Sequence, residues 1–128
     1  MSGGKFGYQD YNIRIIADHI EEEVIMSGKP IPKQNWDYSM IQHPETAVNP
    51  SNEDSTLLRM AEAVYALKKA EIYAHRVDYL LSGDDGEENF ETRLKRELKE
   101  LDAKSKMGEN GVMYFVIDRT LDPYAEDD

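Results

Sequence analysis

Within the stretch Tyr11 to Met26, Ile13, Ile16, Ala17, Ile20 and Val24 form a recurring apolar set. Separations of three and four put them on one stripe, which predicts a first helix over 11–26. Ser27-Gly28 followed by Pro30 ends it. Residues 28–52 hold four prolines and no helical period, so they read as a long surface excursion, a length that compact domains reserve for functional or mobile segments. Capping residues and acids then cluster from Asn49 to Ser55, and a second helix is expected over 54–82. Its apolar positions are Leu57, Met60, Ala61, Val64, Leu67, Ala74, Val77 and Leu81, widened by Ala63, Ala66, Ala70, Tyr73 and Leu80. A helix apolar over so much of its circumference should be central and carry the core.

Ser82-Gly83-Asp84-Asp85-Gly86 supplies a glycine for the left-handed position after one helix and aspartates to cap the next. A helical hairpin follows. Phe90, Leu94, Leu98 and Leu101 make a narrow stripe over 87–106, with acids early and bases late, as the helix dipole favours. After Glu109-Asn110-Gly111, the run from Val112 to Ile117 is β-branched and aromatic, and residues 112–118 are expected to be extended. A lone strand needs a partner, either the 28–52 region or a second copy of the chain, which makes homo-oligomerisation through 112–118 one expectation. The expected fold is mainly α: a three-helix bundle-like domain spanning 1–120, with a central helical hairpin, a proline-containing loop, a short extended segment and an acidic mobile tail over 121–128.

The charge narrows the function. With 26 Asp and Glu against 15 Lys and Arg the chain carries −11 in 128 residues, and most of that excess lies after Ser82. A phosphate backbone would be repelled, and so would an anionic membrane, whereas a basic surface on another protein is the electrostatic complement. Without cysteine there is no disulfide or thiolate chemistry. The N-terminus has no secretory pattern, and a cytoplasmic location is expected.

Two stretches carry a resemblance. One is Gly3-Gly4-Lys5-Phe6-Gly7-Tyr8-Gln9-Asp10-Tyr11 leading into Ile15-Ile16-Ala17-Asp18-His19-Ile20-Glu21; the other runs from Tyr73 through Ser82-Gly83-Asp84-Asp85-Gly86-Glu87-Glu88-Asn89-Phe90 to Arg93-Leu94. Together they resemble small uncharacterised proteins of tailed bacteriophages and prophages. The resemblance covers about half the chain and implies a phage accessory role without a particular chemistry.

The candidate sites divide into two groups. Asp84, Asp85, Glu87 and Glu88 form an acidic turn suited to steering a basic partner, and Trp36 and Tyr38 in the proline-containing loop are suited to anchoring it. The acidic turn lacks the ligand spacing of a common calcium loop. Glu71, His75, Arg76 and Asp78 on the second helix could form a polar pocket for a phosphate or base, with Tyr8 and Tyr11 as an aromatic arm; the plainer alternative is an ion-paired Arg76–Asp78 neighbourhood and an apolar lead-in that packs on the core. Asp18, Glu21, Glu22 and Glu23, taken with Glu71 and Asp78, invite comparison with all-α Mg-dependent nucleotide pyrophosphohydrolases, although a solvated charged face explains the same residues. Glu-x-x-His, a nucleophile with its base, and a phosphate-cradling glycine loop do not occur. His19 and His43 stand alone. A DNA mimic is disfavoured because Arg93, Lys95, Arg96, Lys99 and Lys104 interrupt the acids.

The functional expectation is a stoichiometric binder or inhibitor of a host or defence protein with a basic surface, without a cofactor or bound metal. A sponge for a small nucleotide signal is one alternative, and a Mg-dependent pyrophosphohydrolase-like enzyme another.

Overall fold

The computed structural model describes residues 5–122 and Tyr124. Helix α1 spans Gln9–Met26, a short α2 spans Tyr38–Gln42, α3 spans Asp54–Leu81 and α4 spans Glu87–Ala103; strands β1, Ser105–Met107, and β2, Met113–Phe115, close the chain. Among the described residues the domain is mainly helical with one two-stranded sheet, in agreement with the mainly-α expectation.

Contacts along α3 run in reverse order along α1: Asp78 meets Lys5, His75 meets Asp10, and Lys68 meets Asp18 and Glu21. The two helices are therefore antiparallel. Helix α4 returns along another side of α3, where Tyr65 donates to Asp102 at 2.7 Å and Arg76 faces Glu97. The buried apolar residues are Ala17 and Val24 from α1, Leu57, Ala61 and Val64 from α3, Leu94 and Leu101 from α4, and Ala47 from the loop. Val64 is the largest of the fully enclosed side chains.

The wide apolar arc of α3 is only partly covered. Ala66, Ala70, Tyr73 and Leu81 stay exposed, because α1, α4 and β2 pack on the remaining sides. Ile16 of the α1 stripe is likewise 52% exposed, lying just beyond the contact face centred on Ala17.

Gly83 takes the left-handed conformation after α3, with φ of 80°, as its sequence position predicts. Capping of α4 differs from expectation. Gly86 is its N-cap and no side chain caps it, since Asp85 turns inward and Asp84 outward.

The extended segment also corrects an expectation. Its partner within the chain is not the 28–52 loop but β1, whose first two residues fall in the range expected for the end of the third long helix. Ser105 pairs with Phe115, Lys106 with Tyr114 and Met107 with Met113, all antiparallel. Helix α4 stops at Ala103 because Ser105 Oγ donates to the carbonyl of Leu101 at 2.7 Å, and Val116 N–H takes the carbonyl of Lys104 at 3.0 Å. The hairpin then lies along α3.

The proline-containing excursion is a tied loop with its own structure. Gly28 N–H donates to the Pro50 carbonyl at 3.2 Å, Ile31 N–H to Ala47 at 2.9 Å and Asn49 N–H to Lys29 at 2.9 Å, so its two ends run side by side. Asp37 caps α2 by accepting from Met40 N–H at 2.9 Å, a one-and-a-half-turn helix too short to show a period. Lys29 Nζ reaches the carbonyl of Arg119 at 2.7 Å, and Asn49 Nδ2 donates to Tyr124 Oη at 2.9 Å. The start of the 121–128 segment is thus docked on this loop; Pro123 and residues 125–128, on which the rest of the tail expectation falls, lie outside the described residues.

Candidate functional site

The N-terminal stretch through Asp10 and the stretch from Tyr73 into α4 meet in space. The buried Asp78 carboxylate accepts from the N–H groups of Lys5, at 2.5 Å, and Phe6, at 3.2 Å, so a residue of α3 fixes the entry to α1. One turn earlier on α3, His75 Nδ1 lies 2.8 Å from Oδ2 of the buried Asp10. The His75 ring also packs on Tyr79, with centroids 4.4 Å apart.

Arg76 and Asp78 do not pair with each other. Two positions along a helix are roughly 200° apart, and Arg76 points to the opposite side, where Asp85 Oδ2 accepts from its Nη1 at 3.2 Å and Glu97 Oε2 lies 3.2 Å from its Nε. The Glu97 approach is outside hydrogen-bonding direction, so it acts as an ion pair. Arg93 caps the other oxygen of Asp85, and the Arg76 guanidinium sits 4.8 Å from the Tyr79 ring centre. Asp84 and Asp85 N–H groups both donate to the Tyr79 carbonyl. The unusual Ser-Gly-Asp-Asp-Gly run is thereby explained as the lock of the α3–α4 hairpin.

This geometry revises the expected partner surface. Asp85 is buried and spent on two arginines, so it offers nothing to a partner, whereas Asp84, Glu87 and Glu88 are exposed. Trp36 is half-buried and its Nε1–H donates to the Ile31 carbonyl at 2.7 Å; the indole clamps its own loop. Tyr38 is 77% exposed. The loop abuts the start of α3 and the acidic turn follows its end, and a helix of 28 residues separates them by about 40 Å. Tyr38 and the acids therefore form no single patch.

The aromatic arm does not close on a pocket. Tyr8 and Tyr11 face outward, 60% and 56% exposed, with Ile15 at 48% on the same side of α1. Tyr8 has φ of 67°, a left-handed conformation that is a genuine outlier for a bulky side chain. Because Lys5 and Phe6 are tied to Asp78 near the end of α3, these tyrosines occupy the same end of the molecule as Asp84, Glu87 and Glu88. Glu87 and Glu88 stand in the first turn of α4, where the helix dipole favours them.

A cleft of about 440 Å³ opens between α1, α3, α4 and β2, lined by Arg14, Lys68, Glu71, Ile72, His75, Glu97, Glu100, Leu101, Lys104 and Phe115. Of the expected pocket residues Glu71 and His75 are here; Arg76, Asp78, Tyr8 and Tyr11 are not among the lining residues. Lys68 Nζ stands 4.6 Å from the Phe115 ring centre. Burial, above all, raises the Glu71 carboxyl above its ordinary value, and Asp10 and Glu97 add to the rise while His75 and Arg14 oppose it. Asp10, Arg14, Lys68, Lys104 and Phe115 escaped the sequence reading. Only Asp10 left a signal, as part of a stretch already noted for its resemblance.

The carboxylates compared with a Mg-binding set are scattered: Asp18 and Glu21 lean toward Lys68, and Asp78 is buried against backbone N–H groups. Among the described residues no three His, Asp or Glu side chains come together as a metal site, and no helix is long and apolar enough to cross a membrane. Comparison with family models, curated proteins and solved structures finds no match.

Proposed function

We propose that this chain is a stoichiometric binder of a basic surface on a host or defence protein, in the phage accessory role that its sequence resemblance implies. The observation that carries the reading is the shared end of the bundle where exposed Tyr8, Tyr11 and Ile15 lie with exposed Asp84, Glu87 and Glu88. Aromatic side chains supply large contact area at low entropic cost, and a cluster of acids speeds encounter with a basic partner. The left-handed Tyr8 fits the same reading, since strained backbone concentrates at ligand-contacting sites. The anchors thus move from Trp36 and Tyr38 to Tyr8 and Tyr11, while the steering acids keep their place apart from Asp85.

The test is affinity capture from bacterial lysate with wild-type bait beside Tyr8→Ala/Tyr11→Ala, Asp84→Lys/Glu87→Lys and, as a remote control, Tyr38→Ala. A stoichiometric partner should be held by the wild type and the control. It should dissociate faster from the tyrosine variant and associate more slowly with the charge-reversed one. Identical capture by all four baits would refute this placement of the interface, and no stoichiometric partner at all would refute the binder reading.

A further inference from the structure

We propose that the cleft between α1, α3, α4 and β2 is a binding site for a small nucleoside phosphate. The inference does not rest on the interface proposed above, which uses the outward side of α1 and the hairpin turn.

Three cationic side chains line this one cleft, Arg14 from α1, Lys68 from α3 and Lys104 from the end of α4, with the His75 imidazole beside them, in a chain whose net charge is −11. They converge from three elements, as a preformed anion site requires and a solvated helix face does not. Neither Arg14 nor Lys68 is firmly committed elsewhere by charge. Arg14 Nε is 4.0 Å from Asp18, and Lys68 Nζ is 3.9 Å from Asp18 and 3.7 Å from Glu21; all three separations exceed hydrogen-bond length. His75 is held differently. Asp10 engages Nδ1, which orients the ring and leaves Nε2 as the nitrogen a ligand would meet.

The acids in the cleft have separate explanations. Glu97 is turned to the buried Arg76 guanidinium. Glu71 is partly buried near His75 and Arg14, and burial above all raises its carboxyl above the ordinary value; it stands as an acceptor for a hydroxyl or amino group of the ligand. Glu100 remains at the rim as an acceptor for a hydroxyl or an amino group.

The body of the ligand follows from the apolar part of the lining. Ile72, Leu101 and Phe115 present aliphatic and aromatic surface, and Lys68 beside the Phe115 ring brings a cation next to it. Bare phosphate would leave that surface unused. A planar base uses it, with the phosphate on Arg14 and Lys104 and the hydroxyl or amino groups on Glu100 and Glu71. A volume of about 440 Å³ falls in the range of small-molecule sites.

The test is calorimetric titration of the full chain with AMP, ATP, adenosine and inorganic phosphate at fixed salt. The expected result is saturable 1:1 binding of AMP or ATP with Kd below about 1 mM, at least about tenfold tighter than adenosine or phosphate alone. Arg14→Ala and Lys104→Ala change exposed side chains and should each weaken it by about tenfold, with circular dichroism unchanged. Phe115→Leu keeps the apolar volume and should weaken the nucleotides while leaving phosphate alone. Lys33→Ala, in the distant loop, should change nothing. Absence of saturable nucleotide binding, phosphate binding as tight as AMP, or folded Arg14 and Lys104 variants with wild-type affinity would each overturn the proposal.

Discussion

Replacing Asp85 with Asn tests whether the hairpin turn is an electrostatic lock. The side chain of Asp85 is fully buried and that of Arg76 is 7% exposed, whereas Arg93 is 42% exposed. Asn keeps the shape of Asp and removes its charge. Arg93 can rehydrate, so its share of the loss is small. Arg76 cannot, and only Glu97, 3.2 Å away and outside hydrogen-bonding direction, remains to balance it. Breaking a buried pair by removing one partner costs about 3–5 kcal/mol; with Glu97 still in place the lower end applies, about 3 kcal/mol. That is a large part of the 5–15 kcal/mol or so that stabilises a domain, and it should raise the unfolded fraction by two orders of magnitude. Urea denaturation followed by circular dichroism reads this directly, as a lowered midpoint at unchanged slope. A paired change, Arg76→Met with Asp85→Leu, should recover most of the loss, because apolar replacement of a buried pair is close to neutral. A loss below about 1 kcal/mol for Asp85→Asn, within the range of an ordinary surface pair, would refute the lock and leave the acidic turn without a structural explanation.

Two other predictions follow from single side chains. Val64 is wholly enclosed, so Val64→Asp should unfold the domain by placing an unpaired charge where it must lose several kcal/mol of hydration, seen as loss of the helical spectrum. Tyr65 donates to Asp102 at 2.7 Å, and that bond, more than burial, pushes its phenol up to about 12. A folded value above the unfolded one means the contribution to stability is present below pH 10 or so and is lost as pH rises through about 12. Phenolate absorbance should therefore show one of the eight tyrosines titrating late, and Asp102→Asn should bring it back toward the others.

Most of the fold was legible because its signals are local. The stripe of Ala17 and Val24, the breadth of the Leu57–Leu81 pattern and the glycine at position 83 each depend on neighbours a few residues away, and α1, α3 and α4 stand close to where those patterns put them. What escaped depends on partners distant in sequence. Ser105 and Lys106 fall within the helix expected over 87–106, yet the backbone of Phe115 and Tyr114 recruits them into a strand. Asp85 reads as one more exposed acid, and only the return of α4 shows Arg93 to be aimed at it. Asp10 reads as an early helix acid until α3 brings His75 to it across 65 residues.

The same distinction separates the parts of the two stretches that meet around Asp78, the N-terminal one and the one from Tyr73 to Leu94. Among the described residues their exposed members, Tyr8, Tyr11, Asp84, Glu87 and Glu88, make no side-chain bond that the fold depends on; their buried members, Asp10, Asp78, Arg76 and Asp85, are each consumed by one. Sequence spacing treats the two sets alike because charge and aromaticity are the same inside and out. Packing tells them apart. A buried carboxylate must find compensating hydrogen bonds or cations, and Asp78 and Asp85 do so at opposite sides of α3, which fixes the start of α1 to one side and the start of α4 to the other. The tyrosines and the outward acids are thus presented at one end by residues that take no part in the recognition proposed for them. Changing the inner set should alter stability and, through it, the amount of folded protein, whereas changing the outer set should alter capture of a partner at constant stability.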